Sequence, residues 1–304
     1  MSGASDAASL ERRLSDKARR IEIATRKMSA ESFHGGVQSR FRGRGMDFDE
    51  LREYAPGDDV RAIDWNASAR TGRTFVKKYR EERQLTVVFV VDMSASGDLG
   101  AGTGTKRDQA VEITSLLALA AMRNDHRVGL VLFTDAVEKF VPPARGRGHT
   151  LRLVRDLGAF RPEGRGTNLA SVLRTVRERL RRRAVVIVIS DFLLSDKGAA
   201  EAKPELDALS RHHDVVSIHV GDRHDRELPN VGLLTLEDVE TGELVEVDTG
   251  NRREREQLAR AIRETDDRMR AFFASSAVDL LSVDTLKPYL PALVGFFKSR
   301  GARR

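Results

Sequence analysis

Between residues 92 and 96 the chain runs Asp-Met-Ser-Ala-Ser, directly after the β-branched apolar run Thr86–Val91. Three oxygen side chains, Asp92, Ser94 and Ser96, thus stand at alternate positions where a buried-looking strand stops. Carboxylates and hydroxyls are the ligands that hard cations such as Mg²⁺ or Mn²⁺ take in octahedral geometry, with no need for thiol or imidazole. Two more segments extend the set. "GRGTNLASVL", 164 to 173, puts Thr167 in a glycine-rich turn at a helix start, and "VVIVISDFL", 185 to 193, ends a second apolar run on Ser190 and Asp191. Each residue taken singly is an ordinary helix cap. Two strand-end aspartates, the D-x-S-x-S spacing and a glycine-flanked threonine together are a far less common conjunction.

Other chemistries fail on spacing. A phosphotransfer site on paired aspartates needs a second carboxylate two residues after the first, where this chain has Ser94. The glycine cluster "GDLGAGTGTKRD", 97 to 108, suggests a phosphate cradle, but both a Walker loop ending at Lys106 and a dinucleotide turn require glycine at 105, which is threonine. It reads as a surface loop. His213, His219 and His224 sit on one strand and its loop, which does not close a zinc site.

The elements that must position these residues are legible from residue 84 onward. Apolar runs at 85–91, 127–133, 184–190, 214–220 and 278–283 alternate with helical patterns at 106–124, 148–158, 168–182 and 252–274. The alternation predicts an α/β fold, a doubly wound and mostly parallel sheet with helices on both faces. In such sheets ligands bind beyond the carboxyl ends of the strands, so the loops bearing Asp92, Thr167 and Asp191 should open on one edge. Residues 232–249 alternate at period two around Thr241 and Gly242, a β-hairpin expected to pair with 74–80. Leu10, Leu14, Ile21 and Met28 mark a basic amphipathic helix within residues 1–32.

The chain has 304 residues, no cysteine, and 52 basic against 46 acidic side chains for a net charge of +6. The length allows one large domain or two modest ones, and the missing thiols exclude disulfides and Cys-based zinc. No apolar run approaches a bilayer span and the first residues lack the core of a secretory signal, so a cytoplasmic, soluble chain without a transmembrane segment is expected. Arginine clusters at 40–45, 144–148 and 177–183 could attract phosphates. The last lies at a helix C-terminus, where basic residues are favoured for other reasons, and no nucleic-acid partner is expected.

Asp92, Ser94, Ser96, Thr167 and Asp191, in this order on this alternation, resemble the metal-ion-dependent adhesion site of von Willebrand factor A domains. Upstream, "GRGMDFDELREYAPGDDVRAIDWNASARTGRTFVKKYREERQL", 43 to 85, resembles the signature of the bacterial domain of unknown function 58 family; together the two cover roughly residues 35 to 300. The resemblance implies that Ser94, Ser96 and Thr167 coordinate Mg²⁺ or Mn²⁺ through hydroxyls, with Asp92 and Asp191 acting directly or through water. It also implies an open position completed by a partner's acidic side chain, so that no residue is catalytic. A MoxR-type AAA+ ATPase and an unidentified acidic client are the implied partners, with the chain as adaptor or assembly factor. The alternative from another class is a metal-dependent hydrolase of phosphorylated or nucleic-acid substrates.

The layout is then a helix within 1–32, a signature subdomain at 33–83 joined by hairpin 229–250, and an α/β domain at 84–300. In the signature, Asp58, Asp59, Arg61, Asp64, Trp65 and Arg70 read foremost as a structural charge network around a core Trp65. The second reading is a docking surface, since Trp and Arg are favoured interface anchors.

Overall fold

The structure, a computed structural model, describes residues 46–81 except 57, 59, 61 and 62, together with 84–98, 104–222, 232–237, 244–248 and 250–303. The helix expected within 1–32, the arginines of 40–45 and the hairpin turn at Thr241 and Gly242 lie outside the described residues.

Six strands form the main sheet: β3 (Thr86–Asp92), β4 (Arg127–Phe133), β5 (Val137–Ala144), β6 (Val185–Ser190), β7 (Asp214–Gly221) and β10 (Asp279–Asp284). Their order is β10-β7-β6-β3-β4-β5, all parallel except the antiparallel edge pair β4 and β5. The doubly wound α/β sheet expected from the alternating runs is therefore present, with β3 at its centre. Its residues point alternately to two cores. Phe89 and Val91 join Leu116, Leu130, Ile187, Leu293 and Phe297 on one face, covered by α2 (Lys106–Arg123), α3 (Arg147–Gly158) and α7 (Tyr289–Arg303). Val88 and Val90 join Phe133, Leu173, Val186, Leu206 and Phe273 on the other, under α4 (Leu169–Arg179), α5 (Asp196–His212) and α6 (Arg252–Ser275). Burial on both faces is why these strands read as unbroken apolar runs.

Three elements depart from the sequence pattern. Strand β5 carries Pro142 and Pro143, which an edge strand tolerates because one side of its backbone needs no ladder partner. Its neighbour accommodates the ring: a Cβ on Gly129 would meet Pro143 Cγ at 2.9 Å. Helix α5 holds Pro204 and a mostly polar sequence, which masked its period. Strand β2 (Phe75–Glu81) pairs with β1 (Met46–Glu53), whereas β8 (Leu233–Glu237) and β9 (Leu244–Asp248) form a two-stranded sheet of their own. Among the described residues, the pairing of the 229–250 hairpin with 74–80 that the alternation leads one to expect is not present. β1 is the nearer partner along the chain, at a lower closure entropy. The connection between them is closed by Tyr54 N donating to Thr74 O and Asp64 N to Phe75 O, at 2.8 Å each.

Two arginines of 177–183 find partners within the domain. Arg177 pairs with Glu205 at 3.1 Å, and the Arg179 guanidinium lies 4.7 Å from the centre of the Phe140 ring. Among the described residues no helix is long and apolar enough to cross a membrane.

One buried ion pair fixes the last helix to the sheet. Arg300, 4% exposed, donates to Asp214 Oδ1 at 2.6 Å and to the Asp279 carboxylate, joining α7 to β7 and β10. Removing one partner of a buried pair strands the other's charge, at a cost of about 3–5 kcal/mol. Arg300→Met should lower unfolding stability in urea by that amount, and adding Asp214→Asn should recover part of it. A loss below about 1 kcal/mol would mean that the pair contributes nothing beyond a surface salt bridge.

Candidate metal-binding site

Strand β3 delivers Asp92 to the carboxyl edge of the sheet, and β6, paired directly beside it, delivers Ser190 and Asp191. Both aspartates are 8% exposed, and Ser94 and Ser96 are buried at 2% and 5%. After Asp92 the chain folds tightly into a 3-10 turn, Ala95–Asp98. Asp92 Oδ1 accepts from Ser94 N at 2.9 Å, which turns the chain back so that Ser94 Oγ and Ser96 Oγ lie 3.0 Å apart. Arg107 holds the turn from outside: Nη2 donates to the carbonyls of Met93 and Ser94 at 2.9 Å each, and Nη1 reaches Asp98 at 2.5 Å.

Thr167 comes from the loop before α4, and Asn168 caps that helix by accepting from Ser171 N at 3.0 Å. The loop is clamped by the turn between β4 and β5. Glu138 accepts from the backbone N–H of Glu163 at 2.8 Å and of Gly164 at 3.0 Å, and Asp135 accepts from Gly166 N at 3.1 Å. A side chain has no room at Gly164, where a Cβ would meet Thr134 Oγ1 at 2.3 Å, and at Gly166 a Cβ would meet Asp135 Oδ1 at 2.3 Å and displace that carboxylate. Ala95 N then donates to Arg165 O at 2.9 Å, joining the threonine loop to the serine turn. Thr167 Oγ1 stands 3.5 Å from Asp92 Oδ2, to which it donates, so the structure brings all five expected ligands to one edge.

Two further residues belong to this cleft. Ser190 Oγ donates to Asp92 Oδ2 at 2.6 Å and accepts from Phe192 N at 2.9 Å, fixing the carboxylate's orientation. Lys106, the first residue of α2, is 2% exposed and places Nζ 3.5 Å from Asp191 Oδ2. Lys106, Arg107, Ser190 and Val220 line the cleft together with Asp92, Ser94, Ser96 and Asp191. The sequence signal for Lys106 is a lysine closing a glycine-rich loop at a helix start, a pattern whose spacing speaks only to phosphate binding. Asp135 and Glu138 gave no signal, because their role is to accept backbone N–H groups from a loop 25 or more residues away.

Burial and the neighbouring Asp191 raise Asp92 from the ordinary carboxylate range to about 6, against the hydrogen bonds from Ser190 and Ser94 that lower it. Two carboxylates side by side in a buried cleft call for a cation. The surrounding donors are all oxygen, three hydroxyls and two carboxylates, a set that suits a hard divalent ion. Among the described residues no cluster of three or more His, Cys, Asp or Glu side chains forms a metal centre of another type. Of the three histidines weighed as zinc ligands, His213 and His219 are buried and His224 lies outside the described residues.

The signature residues fall apart in role. Asp58 accepts from Arg52 at 2.5 Å and from Ala55 N at 2.9 Å, while Asp64 caps α1 (Trp65–Thr71) by accepting from Asn66 N and Ala67 N. These two match a structural charge network. Trp65 does not, being 71% exposed on α1, and its expected core position is corrected. A seven-residue helix with no buried residue has no apolar face to carry the indole inward. Arg70 is exposed in the last turn of α1, and Asp59 and Arg61 lie outside the described residues.

Residues 50–268 match the family model described as "Protein of unknown function DUF58". The chain is 32% identical over 286 residues to an uncharacterized protein of Mycobacterium tuberculosis, covering 93% of this chain and 88% of the relative. Among solved structures it is similar to the conserved hypothetical protein BatB from Bacteroides thetaiotaomicron, at 15% identity and a TM-score of 0.46, over 72% of this chain and 100% of that one. It is also similar to a von Willebrand factor type A structure from Catenulispora acidiphila, at 10% identity and a TM-score of 0.37, over 76% of this chain and 44% of the other. From its sequence match, the chain belongs to the DUF58 family of proteins of unknown function.

Proposed function

We propose that this protein is a non-enzymatic, metal-dependent protein-binding module. The observation that carries the proposal is the meeting of Asp92, Asp191 and the hydroxyls of Ser94, Ser96 and Thr167 at one sheet edge. Mg²⁺ or Mn²⁺ held mostly by neutral hydroxyls stays under-neutralised and attracts one more carboxylate, supplied by a client's acidic side chain. The chain's own residues shape that encounter. Ser190 orients Asp92, Arg107 holds the serine turn, and Glu138 and Asp135 hold the threonine loop. The resemblance to the domain of unknown function 58 family supports a MoxR-type AAA+ ATPase as the working partner, with this chain as its adaptor or assembly factor.

Metal binding should be visible in stability and should depend on pH. With a dissociation constant of about 1 mM, about 10 mM Mg²⁺ stabilises the fold by roughly 1.4 kcal/mol, a rise of about 3–5 °C in melting midpoint. Asp92→Asn should abolish that rise. Because the folded-state value of Asp92 lies near 6, above that of the unfolded chain, its ionisation costs metal-free stability above that pH, and the cost is relieved on acidification. Between pH 7.5 and 5, metal-free wild type should gain about 1.4 kcal/mol relative to Asp92→Asn. Mg²⁺ affinity should weaken about tenfold over the same interval, since the ligand must be deprotonated. A Mg²⁺ response that is the same in Asp92→Asn, or the same at both pH values, would refute this site.

The partner is tested by affinity purification from the native cell. A MoxR-type ATPase or its client should co-purify with wild type in Mg²⁺ and be depleted with Thr167→Ala or with chelator. Equal recovery in all three samples would exclude metal-bridged adhesion.

A further inference from the structure

Lys106 stands where helix physics disfavours it. It opens α2, where the helix dipole repels a cation, and it is almost wholly buried, which lysine rarely is without a charge partner. The helix start itself is stabilised by other groups: Thr105 caps it by accepting from Asp108 N at 3.1 Å, and the Asp108 carboxylate accepts from Thr105 N at 2.9 Å. What offsets the buried ammonium is the acidic cleft. Its Nζ lies 3.5 Å from Asp191, and its side chain lines the same small space as Asp92, Ser94 and Ser96. The two carboxylates and this ammonium sum to a formal charge of −1.

We propose that Lys106 is the resident counter-cation of this cleft and determines its divalent-metal affinity. A divalent ion entering between Asp92 and Asp191 meets the fixed positive charge of Lys106 in surroundings where charges are poorly screened. Affinity is thereby held below what the same oxygen set would give alone. With Arg107 of the lining offset by its partner Asp98, the two carboxylates, the ammonium and a divalent ion leave the loaded cleft a formal +1, and so it keeps its attraction for an outside carboxylate. The inference rests on the metal-binding reading of the site and adds to it the residue that tunes it.

The test is Mn²⁺ titration of the full chain at pH 7.5, followed by calorimetry and by the resonance signal of free Mn²⁺. Lys106→Gln should bind Mn²⁺ at least about tenfold more tightly than wild type, equivalent to about 1.4 kcal/mol. Lys106→Arg, which keeps the charge, should stay near wild type. The gain should vanish in the Asp92→Asn, Lys106→Gln double variant. Lys106→Met, which retains the buried stem, serves as the second uncharged variant should Lys106→Gln fail to fold. Uncharged variants that bind Mn²⁺ no more tightly than wild type would overturn the role of Lys106 and leave the metal site standing. Absence of Mn²⁺ binding by wild type and all variants would overturn both.

Discussion

Two carboxylates, Asp92 closing β3 and Asp191 one residue past the end of β6, are brought to one edge by the pairing of adjacent parallel strands. β3 and β6 pair in register from Val87 with Val185 to Val91 with Ile189, so Asp92 and Asp191 emerge from neighbouring strands into one cleft. Burial first, and the repulsion of Asp191 second, raise the Asp92 carboxyl to about 6. The remaining features of the edge answer it. Ser190 and the Ser94 N–H donate to Asp92, Lys106 sets its ammonium against Asp191, and the serine and threonine hydroxyls offer oxygen to a cation without adding negative charge.

The rest of the domain works to hold those oxygens still. Two apolar layers fix the central strands, whose ends define where the aspartates stand. The serine turn, the threonine loop and the turn after β4 are tied to one another through backbone atoms, from Ala95 N to Arg165 O and from Asn168 N to Thr134 O. Glu138 and Asp135, outside the cleft, determine where Thr167 can sit. On the proposed metal-binding reading, a ligand set of hydroxyls would have little intrinsic affinity, and such supports would supply its geometry in advance.

Much of this was legible in the sequence, for identifiable reasons. β3, β4, β6 and β7 lie between two helical layers, and strands buried on both faces announce themselves as apolar runs; Asp92 and Asp191 were visible because those runs stop on them. β5 and α5 were not legible, because an edge strand with two prolines and a polar helix with an internal proline carry weak periodicity. Lys106 was misjudged because spacing rules test for phosphate loops, and a lysine's approach to a carboxylate 85 residues away is a tertiary fact. The hairpin at 232–249 showed its alternation but not its partner, since alternation fixes which face a residue takes and leaves open which edge it meets. Trp65 was expected inside because so charged a segment needs internal partners if it packs, and the short helix that bears it gave no buried face.

The central claim is that this sheet edge is built for a divalent cation. Diffraction from crystals grown with Mn²⁺, collected at a wavelength where manganese scatters anomalously, tests it most directly. The expected result is one strong anomalous peak within about 2.0–2.3 Å of the Ser94 and Ser96 hydroxyl oxygens, flanked by Asp92, Thr167 and Asp191. Well-ordered density for the edge with no anomalous peak there, in crystals equilibrated with tens of millimolar Mn²⁺ near pH 8, would contradict it.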